Sequence, residues 1–212
     1  MKPDTATTGR PRLAAIDKRL MRAFEDFVVE SPVRSFGVQA LVTRAGTTRD
    51  AFYRRYASIG HFFVEVALNR YSLNPTQDTG SLAGDLLVIQ REQVQMYTDP
   101  VAKGLLLLIL DASADQPVTA NAFASRFLKP RRDATVTVLD RAVSRGEIVA
   151  VSDIEYTLDH ISGSFLLRAS MPGTQPIDEA FAQKTVLSVL KDLGVDDPYA
   201  DLDAAVSLLG NE

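Results

Sequence analysis

Several residue types that carry chemistry are missing or scarce in this chain of 212 residues. There is no cysteine, which excludes disulfide bonds and thiolate metal sites. Histidine occurs only as His61 and His160, and isolated histidines without partners do not make a metal site. The sequence also lacks a Gly-x-Ser-x-Gly motif and a phosphate-cradling glycine loop. We therefore expect no catalytic residues, no metal and no cofactor.

Long hydrophobic runs are also absent. The longest, from Leu105 to Leu110, is far too short to span a bilayer. The N-terminal stretch MKPDTATTGRPR has no apolar core, so it does not have the pattern of a signal peptide. Hydrophobic residues still make up 46% of the chain, which is enough for a buried core. These features indicate a cytoplasmic globular protein without a membrane partner.

The two signs of charge are unevenly distributed. The formal net charge is −4, yet residues 1–72 hold 12 Lys and Arg against 7 Asp and Glu, a net of +5. The rest of the chain holds 11 basic and 20 acidic side chains, a net of −9. A basic N-terminal part on an acidic body favours contact between that part and a polyanion. Chance clustering of charge is the alternative interpretation.

Apolar residues recur at three- and four-residue steps through most of the chain, which predicts an all-α protein. The polar segment SLNPTQDTGS, residues 72–81, predicts a linker. The stretch EIVAV, residues 147–151, fits either helix or strand. The predicted helices cover residues 12–29, 38–45, 49–56, 58–70, 82–97, 100–114, 118–145, 154–170 and 177–193, and residues 202–209 are open to one more.

The densest basic and aromatic stretch is AGTTRDAFYRRYAS, residues 45–58. Gly46 permits a positive φ between the second and third helices, and Thr48 and Ser58 are suitable N-caps for the third and fourth. Three short helices with such a turn predict a helix-turn-helix. The third helix of that motif enters the major groove of DNA with its N-terminal residues first. A solvated cationic face on a helical bundle is the alternative.

The helix-turn-helix interpretation assigns roles to individual residues. Arg49 suits guanine acceptors, Asp50 suits the amino group of a cytosine, and Tyr53 and Arg54 suit phosphate oxygens. The full set of expected DNA contacts is Arg10, Arg12, Gly37, Gln39, Thr43, Arg44, Thr48, Arg49, Asp50, Ala51, Tyr53, Arg54, Ser58 and His61.

Some of these contacts depend on particular geometry. Arg10 and Arg12 belong to an extended arm that fits a minor groove, with a solvated tail as the alternative. Gly37 and Ser58 precede helix N-termini, which attract phosphate. Phe52 and Tyr56 are expected to point away from DNA into a small core.

The segment of about residues 12–71 resembles the N-terminal domain of the TetR family of bacterial transcriptional regulators. The stretch RGEIVAVSDIEYTLDHISGSF and the residues after it resemble the Arg-Gly-Glu-Ile turn and the dimer-forming helices of one common C-terminal type. Two departures stand out. Phe36 and Gly37 replace a Thr/Ser cap, and Ile59-Gly60-His61 replaces a Lys-Glu-Glu run that supplies a phosphate-binding lysine. The residues that carry the N-terminal match are Val38, Ala45, Gly46, Thr48, Arg49, Tyr53, Tyr56 and Ser58.

The resemblance implies a repressor that binds a palindromic operator in double-stranded DNA as a homodimer and is released by an unknown small-molecule effector. It implies a disordered arm at residues 1–11, a helix-turn-helix domain at 12–58, a connecting helix and linker at 59–80, and a helical ligand-binding and dimerisation domain at 81–212. A helical adaptor that binds protein, or an all-α enzyme with a basic face, remains the alternative.

Two further sets of residues are expected in the C-terminal part. Apolar stripes on its last two long helices fit a four-helix interface, with packing inside one chain as the alternative. The expected interface residues are Ile161, Phe165, Leu166, Val186, Leu187, Val189 and Leu190. The expected effector-pocket residues are Met96, Tyr97, Leu106, Ile109, Leu110, Phe123, Phe127, His160 and Arg168, each of which also fits plain core.

Overall fold

The computed structural model of the protein describes residues 9–30, 37–74 and 77–210, with side chains from residue 15 onward. No strand occurs in these ranges, so the all-α prediction is confirmed. The α-helices are α1 (Gly9–Glu30), α2 (Val38–Arg44), α3 (Arg49–Tyr53), α4 (Ile59–Arg70), α5 (Leu82–Thr98), α6 (Pro100–Asp115), α7 (Pro117–Phe123), α8 (Lys129–Arg145), α9 (Ile154–Ser170), α10 (Glu179–Asp192) and α11 (Pro198–Leu209), and a π-helical turn, Ala124–Leu128, joins α7 to α8.

Short polar side chains fix where many helices begin. Ser81, Asp153, Asp178 and Asp197 each accept a hydrogen bond from the backbone amide three residues later. Each bond satisfies one of the free amides of a first helical turn, which typically stabilises a helix by about 1 kcal/mol. At the C-terminal end of α8, Gly146 adopts a φ of 75°, a conformation that favours glycine.

Packing divides the chain into two units. The first contains residues up to 70 and residues 104–123, and the second contains residues 71–103 and those from 124 onward. This grouping differs from a division at residue 81, because most of α6 and all of α7 belong with the N-terminal helices. The chain therefore crosses between the units three times.

An aromatic core holds the first unit together. Phe24, Phe52 and Phe62 are fully buried, and the ring centroid of Phe62 lies 5.9 Å from that of Phe24 and 5.7 Å from that of Phe52. The Tyr56 ring lies 5.0 Å from the same Phe62 ring. Burial of each such ring contributes roughly 1.5–3 kcal/mol. Helix α7 packs against α4 at the edge of this unit.

Helix α5 is the centre of the second unit, where it contacts α8, α9, α10 and α11. Its buried Gln90 donates a 2.9 Å hydrogen bond to the backbone carbonyl of Ile161 on α9. The apolar side chains around it are buried in one cluster that includes Leu82, Leu86, Leu87, Val138, Leu139, Ile161, Val186, Val189, Leu190 and Leu202.

Several element boundaries differ from their predictions. Helix α1 begins at Gly9, inside the arm predicted as disordered up to residue 11. Proline is tolerated in a first helical turn, so Pro11 does not prevent this start. The helix predicted over residues 118–145 is interrupted by the π-helical turn, and α11 begins at Pro198 instead of residue 202. Residues 147–151 form no strand.

Candidate nucleic-acid interface

The turn between α2 and α3 is fixed by backbone hydrogen bonds. Gly46 has a φ of 60°, and its amide donates to the Thr43 carbonyl over 3.2 Å. The Thr47 amide donates to the Val42 carbonyl over 2.9 Å. These two bonds form a Schellman-type helix end, which satisfies carbonyls of the last turn of α2. The Thr48 hydroxyl then accepts from the Ala51 amide over 3.2 Å and starts α3.

Side chains from α1 brace this turn and the end of α3. The guanidinium of Arg19 donates to the Gly46 carbonyl over 3.2 Å. Asp17 accepts from the Tyr56 hydroxyl over 3.2 Å and pairs with Arg55 at 3.0 Å. The sequence pattern did not reveal these roles, because a basic residue on α1 counts only toward charge until the fold places it. Arg19 is thus a positioning residue for α3.

The two faces of α3 have different environments. Phe52 is fully buried, and Tyr56 just beyond the helix is 5% exposed, as predicted for the inward face. Burial is the largest cause that raises the pKa of Tyr56, and the carboxylate of Asp17 raises it further. Arg49, Asp50, Tyr53 and Arg54 are exposed on the opposite side. The orientation of the helix is therefore determined by its aromatic residues.

The outward face carries unneutralised positive charge. Neither Arg49 nor Arg54 forms an ion pair with another residue in the part of the chain that the structure describes. The Arg49 guanidinium lies 5.8 Å from the centroid of the Tyr53 ring, a cation–π distance. A free cation next to an aromatic ring on an exposed helix is suited to contact with nucleic acid.

Two of the expected DNA contacts must be corrected. Ala51 is only 5% exposed, because it shares the inward face of α3 with Phe52. The guanidinium of Arg44 already has partners in the first unit. It pairs with the carboxylates of Glu30 and Asp26 and lies 4.7 Å from the Phe27 ring centroid. Its hydrogen bond to Glu30 is the main cause that lowers the pKa of that carboxyl. Arg44 therefore ties α2 to α1 and is not a free phosphate ligand.

The other expected contacts surround the turn. Gln39 donates to Thr43 over 3.2 Å on the exposed side of α2, and Gly37 is exposed at its start. The Ser58 hydroxyl accepts from the His61 amide over 3.1 Å and caps α4. The ring of His61 accepts from the Ala57 amide and approaches Glu65 at 3.3 Å, so both ring nitrogens have neighbours. The side chains of Arg10 and Arg12 lie outside the described residues.

Five of the seven expected interface residues also require correction. Ile161, Phe165, Val186, Val189 and Leu190 are each at most 2% exposed in the single chain. Their stripes face the interior of the second unit, the alternative left open by periodicity, so they cannot form a surface between copies. Leu166 is 41% exposed and Leu187 is half-buried.

The expected pocket residues divide between the units. Leu106, Ile109, Leu110 and Phe123 belong to the first unit and the other five to the second. Leu110 is 47% exposed, unlike a residue in the wall of an enclosed pocket.

Several of the second-unit candidates have partners within their unit. The ring nitrogens of His160 lie 3.1 Å from Ser188 and 3.4 Å from Asp192 on α10. Arg168 donates to the Pro176 carbonyl over 2.7 Å and stacks 3.5 Å from the Phe181 ring centroid.

Comparisons with known proteins agree with this geometry. Residues 76–189 match the family model described as Tetracyclin repressor-like, C-terminal domain. An uncharacterised HTH-type transcriptional regulator of Bacillus subtilis (strain 168), YdeS, is 25% identical over 187 residues, which is 86% of this chain and 92% of that protein. The HTH-type transcriptional regulator AqdR of Rhodococcus erythropolis is 24% identical over 164 residues, covering 77% and 78% of the two chains.

A solved structure shows the same fold. The TetR family transcription regulator SCO0332 superposes with a TM-score of 0.62 at 20% identity, covering 83% of this chain and 97% of the other. None of the described helices is both long enough and apolar enough to cross a membrane. The braced helix-turn-helix, the family model over more than half of the chain and the related regulators together show a DNA-binding protein, and the chain belongs to the TetR family of transcriptional regulators.

Proposed function

We propose that this regulator binds a palindromic operator as a homodimer, represses transcription from it in the cytoplasm, and leaves it when a small molecule binds the second unit. The observation that carries the proposal is the outward face of α3, where Arg49 and Arg54 are exposed without ion pairs among the described residues. One such helix contacts too few base pairs to specify a genomic site, whereas two copies read two half-sites.

The position of each residue along α3 indicates whether we assign it to a base or to a phosphate. Arg49 and Asp50 lie in the first turn, which enters the groove most deeply, so we assign them to base edges. Tyr53 and Arg54 lie one turn later, so we assign them to phosphates. The Arg49–Tyr53 contact holds the guanidinium near the helix before DNA arrives and reduces the entropy lost on binding.

For the homodimer we propose a different face from the buried stripes, namely the exposed side of α9. Tyr156 and Leu167 are 58% and 56% exposed there, and Gly163 lies between them at helical spacing. Glycine inside a helix is about 1 kcal/mol less favourable than alanine. A Cβ at Gly163 would meet nothing within 4 Å in its own chain, so internal packing does not require the glycine. Close approach of a second copy would require it.

Selection of duplexes from a random pool by the full-length protein tests the proposal. We expect enrichment of an inverted repeat whose half-sites are about one helical turn or more apart. Affinity for it is expected to fall steeply with salt, with log K decreasing by about 0.9 per neutralised phosphate for each unit of log salt concentration. A sedimentation measurement then gives the stoichiometry on one duplex. No enrichment at low salt would refute the DNA role proposed for α3, and a single bound copy would refute the dimer.

A further inference from the structure

A partly buried arginine in the second unit has no acidic partner in contact. Arg131 on α8 donates to two neutral acceptors, the backbone carbonyls of Phe127 and Tyr71. Its guanidinium also stacks 3.7 Å from the centroid of the Phe127 ring. Among the described residues it forms no ion pair, whereas the next residue, Arg132, pairs with Glu155 and Asp159.

The charge of Arg131 is therefore only weakly compensated. Burial is the largest influence on this group, and it lowers the pKa of Arg131. Glu92 acts on it electrostatically, but its carboxylate accepts a 3.0 Å hydrogen bond from Asn74 and does not reach the guanidinium. A guanidinium has five N–H donors, and only two of its bonds are accounted for by these carbonyls. An anion placed here would pair with a partly buried charge, and such pairing is stronger than in bulk water.

The second unit also holds another donor, close enough for Arg131 to act on it electrostatically, together with aromatic rings. The Tyr97 hydroxyl has no hydrogen-bond partner among the described residues, and Arg131 acts electrostatically on it. Burial is the main cause that raises the pKa of Tyr97, so the hydroxyl stays protonated and able to donate. The Tyr97 ring lies 6.4 Å from Phe165, whose ring lies 4.8 Å from Phe181. Phe127 itself belongs to the π-helical turn, a feature often found at functional sites.

We propose that the effector of this regulator is a small aromatic carboxylate, with its carboxylate bound by Arg131 and the Tyr97 hydroxyl and its ring against Phe127 and Phe165. This inference rests on the proposed effector-controlled release and names the class of ligand. Carboxylates match the planar fork of a guanidinium, and flat rings match aromatic side chains.

Binding would also change a contact inside the second unit, at the residue that follows α4. Tyr71 directly follows α4, and its carbonyl is one of the two acceptors of Arg131. The Tyr71 hydroxyl donates to Asp99 over 2.8 Å, and Asp99 accepts from the Val101 amide at the start of α6. A carboxylate that draws the guanidinium toward itself weakens the hydrogen bond to the Tyr71 carbonyl. The residue that follows α4 then loses one of its anchoring contacts.

The test uses the purified full-length protein with benzoate, salicylate and 1-naphthoate, each beside its neutral carboxamide. Thermal unfolding and calorimetry measure binding, and displacement of the selected operator duplex measures the effect on DNA. We expect at least one carboxylate to raise the melting temperature and displace the duplex, while its amide does neither. Equal effects of acid and amide, or no stabilisation by any of the three acids, would overturn the assigned class.

Variants locate the site. Tyr97→Phe keeps the ring and removes one donor to a charged group, so we expect roughly 10- to 100-fold weaker carboxylate binding. Arg131→Lys removes the fork and is expected to weaken it at least as much. Arg132→Gln is the matched control and should leave binding unchanged. If Arg132→Gln weakens binding as much as Tyr97→Phe does, the assigned site is wrong, even if Arg131→Lys does not fold.

Further readouts separate this inference from the proposed function. Duplex selection needs no carboxylate, so a protein that selects an operator but binds no acid contradicts only the inference. An acid that binds at Tyr97 without displacing the duplex contradicts the release through Tyr71 and leaves the ligand class supported.

Discussion

Gly60 on α4 lies where three helices of the first unit meet, and its replacement by alanine is a sharp test of that packing. A Cβ at this position would lie 2.4 Å from the Thr119 hydroxyl oxygen and 2.9 Å from the Thr119 methyl carbon. It would also lie 3.1 Å from the Cβ of Ala112 on α6. Because both branches of Thr119 are close, rotation of that side chain exchanges one clash for the other.

The size of the effect follows from two opposed terms. Alanine is up to about 1 kcal/mol more favourable than glycine in a helix interior, and less so in the first turn where Gly60 lies. One extra methyl group in a packed site costs about 1–3 kcal/mol. We expect Gly60→Ala to lower the free energy of unfolding by about 1–2 kcal/mol. In a chain of this size that corresponds to a fall of roughly 2–8 °C in the melting temperature.

A double-mutant cycle isolates the clash. Thr119→Ala removes both atoms that the new Cβ meets first, so Gly60→Ala should be less destabilising by about 1 kcal/mol in that background. Melting temperatures of the four proteins, measured by circular dichroism at one concentration, supply the comparison. If Gly60→Ala is as stable as the parent, or is equally destabilising in both backgrounds, α4 does not approach α7 as closely as described.

Further substitutions address the proposed interfaces and one ion pair. Gly163→Ala should weaken self-association in sedimentation experiments, although its Cβ meets nothing in its own chain, and an unchanged dimer constant would contradict the α9 face. Arg49→Ala should reduce the binding free energy on the best duplex by about 1–3 kcal/mol and relax the choice of base. Arg54→Ala should weaken binding to all duplexes alike and reduce the slope of log K against log salt concentration by about 1. The reverse pattern in binding titrations would exchange their roles. The hydrogen bond from Arg91 lowers the pKa of Glu179 below 4.5, so this carboxylate contributes stability above that pH and loses it in stronger acid. Glu179→Gln should flatten the dependence of the unfolding midpoint on pH in that acid range, and an unchanged profile would exclude the pair as its source.

The helix-turn-helix was predictable from sequence because its signals are local. A positive φ at Gly46, a cap at Thr48 and buried aromatic residues at Phe52 and Tyr56 all act within a few residues of their positions. The same holds for most helices, whose apolar periodicity survives any arrangement of neighbours. Arg44 shows the limit of such signals. Its pairing with Glu30 depends on how α2 crosses α1, which periodicity does not report.

The interruption of the long helix predicted over residues 118–145 has a cause visible in the sequence. Pro130 lacks an amide hydrogen, and its ring crowds the carbonyl four residues earlier. The π-helical turn Ala124–Leu128 occupies that position, and its wider hydrogen-bond spacing relieves the clash between the proline ring and that carbonyl. A single proline was therefore a stronger signal than the apolar repeat around it.

The dimer stripes were misassigned for a different reason. Ile161 and Val186 are apolar and correctly spaced, but spacing shows only that a face is buried and not by which partner. In this chain the partner of both helices is α5, which packs against α9 and α10. The face left outward carries Tyr156, Gly163 and Leu167, whose mixed composition gives a weak periodic signal.

The connection between α4 and α5, which includes the linker predicted for residues 72–81, is anchored at both ends of its described residues. Tyr71 is held by Arg131 and Asp99. Thr79 is held through its amide and hydroxyl, which donate to the fully buried carboxylate of Asp85 over 2.7 and 2.8 Å. A slack linker would absorb a small shift in the second unit. An anchored connection transmits such a shift, because Tyr71 is covalently bonded to Arg70, the last residue of α4. Under the proposed release mechanism no large rearrangement is needed, because the loss of one hydrogen bond at Tyr71 alters how α4 is attached. The differential affinity required, about 5 kcal/mol for a complete shift between states, is within reach of one desolvated charge pair that the effector forms only in the state that does not bind DNA.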